Sequence, residues 1–334
     1  FLHGSCFVEG GMNTRIHGGT DEHGPVPFDF SSNANAVGPC PAVLNAVQQA
    51  DALRYPDPNY TALRAALAHF HQVEESRIVV AGSASEFIQR LTTCQWRKGC
   101  SSYWVPQHAY GDYAHAAQVW DMEQVDDASR AGLVWLCNPS SPLGQAESTG
   151  ILKLVEDHPD VVAVLDCAYE PLCLDEQARA SLQQRDHLWQ LWSPNKALGM
   201  TGIRGAYAIA PLGESRAVCA LNSLAPSWLI GTHGQAMLQA WTLPETQSWL
   251  AESRGVLAQW KTDLLDCLHQ QGWETMPSIA SFVCAKAPRE IDEVHLRAHG
   301  IKLRDATSFG LPGWWRLCAQ KPQAMAALSK ALQV

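Results

Sequence analysis

The chain has 334 residues, 46% of them hydrophobic, enough apolar material for a sizeable core and, at about 150 residues per domain, for two domains. Its 24 Lys and Arg against 33 Asp and Glu leave a net charge of −9. That balance excludes a non-specific nucleic-acid binder, whose phosphate track needs many cations. Positive charge is scarce, so a group of cations aimed at one place carries meaning.

The 11 cysteines are odd in number and form no C-x-x-C pair. Several lie in apolar runs, as in Leu136-Cys137 and Leu165-Asp166-Cys167. They read as small hydrophobes in a reduced compartment, and a cytoplasmic location is expected. No apolar stretch reaches the roughly 18 residues of a membrane span. Residues 1–11 lack the basic and apolar regions of a signal peptide, so Met12 is expected to be the natural start and the functional argument begins there.

From Met12 to about Pro41 the chain is polar and Gly-rich, with His17-Gly18-Gly19 and Asp29-Phe30-Ser31-Ser32-Asn33, and reads as an arm laid on another part. Helical spacing follows over 42–51 and 60–72, parted by the turn Arg54-Tyr55-Pro56-Asp57-Pro58. Short apolar runs then alternate with helical patterns: 77–81, 102–106, 132–137, 161–166 and 205–210. This alternation predicts an α/β layer on a mostly parallel sheet. The last third differs, with an amphipathic stretch at 245–271, a run at 281–285, a helix at 290–299, a run at 301–304 and a helix at 321–333. It predicts a smaller α+β unit. The expected division is an arm at 12–41, a large domain at 42–225 and a small C-terminal domain at 226–334.

Four segments carry chemistry. Ser193-Pro194-Asn195-Lys196-Ala197-Leu198-Gly199-Met200-Thr201-Gly202-Ile203-Arg204 places a lysine among small and apolar neighbours, eight residues before an arginine. A desolvated lysine is a nucleophile, and an arginine grips phosphate with two donors. In Val161–Glu170 an apolar run ends on Asp166, with Tyr169 three residues on. A carboxylate at a strand end either caps a helix or holds a ligand, such as a protonated pyridine nitrogen. Asn138, in Cys137-Asn138-Pro139-Ser140-Ser141-Pro142-Leu143-Gly144, follows another run and bonds its own backbone or a ligand oxygen. Ala81-Gly82-Ser83-Ala84-Ser85-Glu86 leads from a run into a helix, where Ser83 or Ser85 is an N-cap or part of an anion site.

In this order the segments resemble the fold-type I pyridoxal phosphate (PLP) enzymes of the class I/II aminotransferase family, over roughly residues 15–330. The resemblance implies a three-layer α/β large domain with a smaller α+β domain, and PLP as cofactor. Lys196 would carry the cofactor covalently and move the proton, Asp166 would pair with the pyridine nitrogen, and Tyr169 and Asn138 would bond the ring hydroxyl. Ser83, Ala84, Ser85, Ser193 and Arg204 would hold the phosphate, and Tyr110 would stack on the ring. Tyr55 would reach the phosphate of a partner subunit, implying a homodimer. Arg304 and Arg316 would clamp an anionic amino-acid or amine substrate, with Asn33 and His17 beside it. Pro194-Asn195, Ser140, Ser141, Leu143, Gly205 and His108-Ala109 depart from the family pattern, and Ala36 replaces a usual proline.

Two branches share the Arg-Tyr-Pro-Asp-Pro turn, the histidinol-phosphate aminotransferases and the threonine-phosphate decarboxylases. The His-Gly-Gly arm and Arg304–Pro312 look like the second, so a threonine-phosphate decarboxylase is the leading expectation. A histidinol-phosphate or other amino-acid aminotransferase is the alternative. A Rossmann dehydrogenase is excluded by the missing G-x-G-x-x-G, and a DNA-binding regulator by the missing helix-turn-helix and the charge. A catalytically inactive PLP-fold protein is the rival of a different class.

Overall fold

The computed structural model describes residues 17–146, 149–175, 178 and 185–333. Residues 1–11 and the first five of the expected arm lie outside them.

A seven-stranded sheet forms the centre, in the order β2-β8-β7-β6-β5-β3-β4. Its strands are β2 (Ile78–Ala81), β3 (Ser102–Trp104), β4 (Glu123–Gln124), β5 (Leu133–Cys137), β6 (Val162–Asp166), β7 (Trp189–Trp192) and β8 (Ala206–Ile209). All neighbours pair in parallel except β8, which runs against both β2 and β7. Four of the five expected runs place their strands within about a residue; in the fifth, 102–106, the strand ends at Trp104. The sequence reading missed β7, because Trp189-Gln190-Leu191-Trp192 interrupts its apolar residues with Gln190. Alternate strand residues serve opposite faces: Val134, Leu136 and Leu165 join one apolar cluster, and Leu133, Trp135 and Val164 join another. Both faces are therefore covered, which explains strands that are apolar at nearly every position. The 13 tryptophans have a partial account here, since Trp135, Trp189 and Trp241 are among the largest fully buried side chains.

The C-terminal part forms an antiparallel sheet, β12-β13-β10-β9, made of β12 (Arg304–Asp305), β13 (Trp314–Cys318), β10 (Phe282–Lys286) and β9 (Glu274–Thr275). Its own apolar cluster joins Val283 and Leu317 to Leu264 and Leu268 of the long helix Pro244–Gln270 and to Leu328 of the helix Pro322–Leu332. The expected run at 301–304 divides into β11 (Ile301–Lys302) and β12, which belong to different sheets. No helix among the described residues is long and apolar enough to cross a membrane.

The segment after His17 contacts the C-terminal part. Its strand β1 (Phe28–Asp29) pairs in parallel with β11. Asp21 accepts hydrogen bonds from Arg297 at 2.8 and 2.9 Å and from Lys302 at 2.6 Å, and these cations hold its carboxyl well below the usual carboxylate range. Gly18 lies so close to Ser31 that a Cβ would come 2.0 Å from the Ser31 carbonyl oxygen.

One helix contact ties the fold to the site. Gly234, within the helix Thr232–Trp241, packs on the backbone of Arg204, and a Cβ there would lie 2.3 Å from the Arg204 carbonyl oxygen. Alanine gains about 1 kcal/mol of helix propensity, but overpacking against backbone costs about 1–3 kcal/mol or more. Gly234→Ala is therefore expected to lower the thermal midpoint, by about 2–4 °C. A midpoint equal to or above that of the wild type in scanning calorimetry would contradict this packing.

Candidate active site

β2, β3, β5, β6 and β7 run in the same direction, so the loops leaving them gather at one edge, where open α/β sheets bind ligands. Because β8 runs the other way, it brings its start to that edge, which places Arg204 there. These loops and the C-terminal sheet enclose a cavity of about 650 Å³. It is lined by Ser83, Ala84, Ser85, Tyr110, Asp166, Tyr169, Ser193, Lys196 and Arg204, and on its other wall by His17, Arg304 and Arg316. Residues separated by up to three hundred positions thus converge.

Each residue is placed by its local chain. Asp166 is the last residue of β6, buried by the sheet that ends there. Lys196 sits in a tight turn closed by the Leu198 N–H to the Pro194 carbonyl at 2.9 Å and the Met200 N–H to the Asn195 carbonyl at 2.8 Å. Gly199 is needed in that turn: its φ is +67°, and a Cβ would meet the Gly38 Cα at 2.9 Å. The Asn195 side chain serves the turn, accepting the Lys196 N–H at 3.0 Å. Ser83 caps the helix Ala84–Arg97 by accepting the Glu86 N–H at 3.1 Å, so the N-terminus of that helix opens on the cavity wall.

Asp166 is the electrostatic centre. One carboxylate oxygen accepts the Tyr113 hydroxyl at 2.7 Å and the other accepts the Ala168 N–H at 2.9 Å. Burial pushes its carboxyl above the usual value, while the Tyr113 hydrogen bond, the Lys196 charge and the Ala168 N–H oppose that push. The Lys196 amine lies 4.8 Å from the centre of the Tyr169 ring. The Tyr110 hydroxyl donates to Asp112 at 2.8 Å and lies 3.3 Å from Ser85 Oγ. Burial and the Asp112 charge push its phenol up. The His17 ring stands 6.1 Å from the Tyr110 ring, so the arm reaches the cavity.

On the opposite wall, Arg316 donates to Ser141 Oγ at 3.2 Å and to the Ser31 carbonyl at 2.8 Å. Arg304 donates to Ser308 Oγ at 2.8 Å and to the Asp305 carbonyl. The two arginines are partners in the register of β12 and β13. Burial, with Arg316 as the second cause, draws the Arg304 pKa down to about 10.

Three expected residues are not on the cavity wall. Asn33, at φ +53°, touches the site through Tyr169, its amide 3.5 Å from the Tyr169 hydroxyl. Asn138 donates its backbone N–H to the Asp166 carbonyl at 3.1 Å and its amide to the Ala178 carbonyl at 3.3 Å. Tyr55 is 76% exposed and stacks on Trp228 at 4.3 Å, away from this chain's cavity. Sequence reading missed Tyr113, which stacks on Trp135 at 5.0 Å beneath Asp166. The available signal was its position three residues after Tyr110, the spacing that puts two side chains on one helical face.

The donors present fit PLP. The cavity offers an amine, a buried carboxylate, a phenol, and a helix N-terminus flanked by serines and an arginine. Ser193 Oγ is buried on its wall with no partner among the described residues, as a hydroxyl reserved for a phosphate oxygen would be.

The model of the family described as aminotransferase class I and II matches residues 26–332. A histidinol-phosphate aminotransferase of Jannaschia sp. (strain CCS1) is 29% identical over 322 residues, 89% of this chain and 88% of the relative. Among solved structures, histidinol-phosphate aminotransferase from Sinorhizobium meliloti in complex with pyridoxal-5'-phosphate has a TM-score of 0.75 at 20% identity, covering 90% of this chain and 88% of that one. The L-threonine-O-3-phosphate decarboxylase from Porphyromonas gingivalis has a TM-score of 0.68 at 23% identity, covering 87% and 91%. These two likenesses are likenesses of fold.

Removing the Tyr113 hydroxyl takes away a hydrogen bond to a charged acceptor, worth about 1.5–3 kcal/mol. Tyr113→Phe is expected to weaken PLP binding by about tenfold in a fluorescence titration. Affinity equal to that of the wild type would show that the bond does not support Asp166.

Proposed function

Because the chain belongs to the class I and II aminotransferase family, whose members use PLP, we propose that it is an aminotransferase of a phosphorylated amine, of the histidinol-phosphate type. The observation that carries this reading is the wall opposite Lys196, where Arg304 and Arg316 stand as cross-strand partners. Two guanidinium groups in one buried place suit a phosphate, and in the second half-reaction the carboxylates of an amino-group acceptor. The sequence reading put the decarboxylase first, and its alternative has the better support: relatives from several bacteria are named histidinol-phosphate aminotransferases, while the decarboxylase is a likeness of fold.

Bound PLP supplies an electron sink for negative charge at the substrate Cα. Asp166 is positioned to hold a protonated ring nitrogen, Tyr169 the ring hydroxyl, and Tyr110 a ring face. Ser83 to Ser85, Ser193 and Arg204, which line the same cavity, would hold the cofactor phosphate. The Lys196 amine, on the cavity wall, would hold the cofactor and take the proton from Cα. Arg304 and Arg316 would fix the anionic end of the substrate and so select which bond at Cα is activated. The arm lines the cavity with His17 to Thr20 and with Ser32. Tyr55 and Trp228, exposed and stacked, suit a homodimer in which Tyr55 reaches the partner's phosphate site.

One observation favours a second reading. The His-Gly-Gly arm, a feature of the decarboxylase branch, lines the cavity at His17, Gly18 and Gly19. Decarboxylation of threonine phosphate needs only that the same arginines turn the carboxylate, and not the hydrogen, out of the ring plane.

The purified, PLP-loaded protein is expected to show the absorbance band of lysine-bound cofactor, lost in Lys196→Ala. Absence of that band from the wild type would support an inactive PLP-fold protein. With histidinol phosphate and 2-oxoglutarate, glutamate is expected to form. Release of CO₂ from threonine phosphate without glutamate formation would overturn the proposal in favour of the second reading, and reaction with neither would point to a general amino-acid aminotransferase.

A further inference from the structure

His108 departs from the family pattern just ahead of Tyr110, and the reading above gives it no role. The same holds for Phe309, a cavity-lining ring that faces both substrate arginines. The Arg304 guanidinium carbon lies 4.8 Å from the centre of the Phe309 ring and that of Arg316 lies 5.6 Å from it. The arginines are direct cross-strand partners, a placement in which like charges repel. An aromatic face attracts a cation through its quadrupole, more strongly where water is excluded. A ring shared by two guanidiniums therefore offsets part of their repulsion. A pair of rings also links the two walls: Lys196 is 4.8 Å from the Tyr169 ring, Tyr169 is 4.9 Å from Phe282, and Phe282 is 5.8 Å from Arg316.

The Phe309 ring is held in place from outside the cavity. Phe309 closes the turn Thr307–Phe309, and its carbonyl lies 2.8 Å from His108 Nδ1. A carbonyl only accepts, so Nδ1 carries the hydrogen. Gly310 follows with φ +77° and passes against the His108 ring. The neighbouring Ser308 is the residue whose hydroxyl receives Arg304. The His108–Phe309 bond joins the loop that carries Tyr110, on the cofactor side, to the loop that shapes the arginine pair.

We infer that Phe309, latched by His108, is a specificity-determining positioning residue: it holds Arg304 and Arg316 together and aimed into the cavity before substrate arrives, so that the pair takes a doubly charged phosphate group in preference to a single carboxylate. The inference rests on the reading that these arginines hold the anionic end of the substrate.

The test is calorimetric titration of inorganic phosphate, and separately of acetate, into PLP-loaded wild type, Phe309→Leu, Phe309→Tyr and Arg316→Gln. Leucine keeps apolar bulk and loses the aromatic face, whereas tyrosine keeps the face. Phe309→Leu is expected to weaken phosphate binding about tenfold and acetate binding far less, with Phe309→Tyr within about threefold of wild type. Equal phosphate affinity in wild type and Phe309→Leu, or equal losses in the leucine and tyrosine variants, would overturn the inference. Unchanged phosphate binding in Arg316→Gln would instead overturn the reading on which it rests. Should Phe309→Leu fail to fold, His108→Ala leaves the ring and removes its latch. It is expected to weaken phosphate binding about threefold, with recovery in His108→Asn, and no change would contradict the inference.

Discussion

Two guanidinium groups held side by side in a buried wall are the arrangement on which the rest of the site depends. Burying like charges together is unfavourable, and the fold counters it with many small contacts. Arg316 reaches back to the Ser31 carbonyl of the arm and to Ser141 of the loop after β5. Arg304 is received by Ser308, and both lie against Phe309. The arm is therefore part of the charge arrangement. Asp21, Arg297 and Lys302 fasten it to the C-terminal part by ion pairs in which a single carboxylate serves two cations.

Across the cavity the opposite charge problem is solved by the sheet. Asp166 closes β6 at the edge where neighbouring strands also end, so its carboxylate is removed from water by apolar strands. A buried carboxylate with a raised pKa is a standing cost to the folded chain, and it becomes favourable when a cation is delivered to it. Tyr113, stacked on Trp135, keeps one of its oxygens occupied and its orientation fixed. The site thus holds buried charge of both signs on facing walls, which is the electrostatic complement of a cofactor with a basic nitrogen and a phosphate, joined to an anionic substrate.

Much of this was legible in the sequence, for identifiable reasons. The strands of the large sheet show as unbroken apolar runs because both faces are buried, and Asp166 and Lys196 are conspicuous because each interrupts apolar surroundings. β7 was not legible, since Gln190 breaks its run while being buried by neighbours far away in sequence. β13 escaped because Arg316 interrupts the apolar run Trp314–Cys318 with a charge that only the cavity explains. Tyr113 and Phe309 were missed for a shared reason. Each acts on another residue of the site, and an aromatic in an amphipathic segment reads as ordinary core until its neighbours are known. The placement of Asn138 against Ala178, and of Asn195 within its own turn, likewise depends on tertiary contacts.

The net charge of −9 describes the surface of the molecule, and its few cations are spent where they gather: Lys196, Arg204, Arg304 and Arg316 line one cavity. The central claim is that this gathering selects a phosphorylated amine. The most direct measurement compares kcat/KM for histidinol phosphate with that for histidinol, which lacks only the phosphate, under 2-oxoglutarate saturation. Loss of two charge-assisted contacts predicts a fall of about a hundredfold or more for histidinol. Equal values for the two substrates would contradict the account.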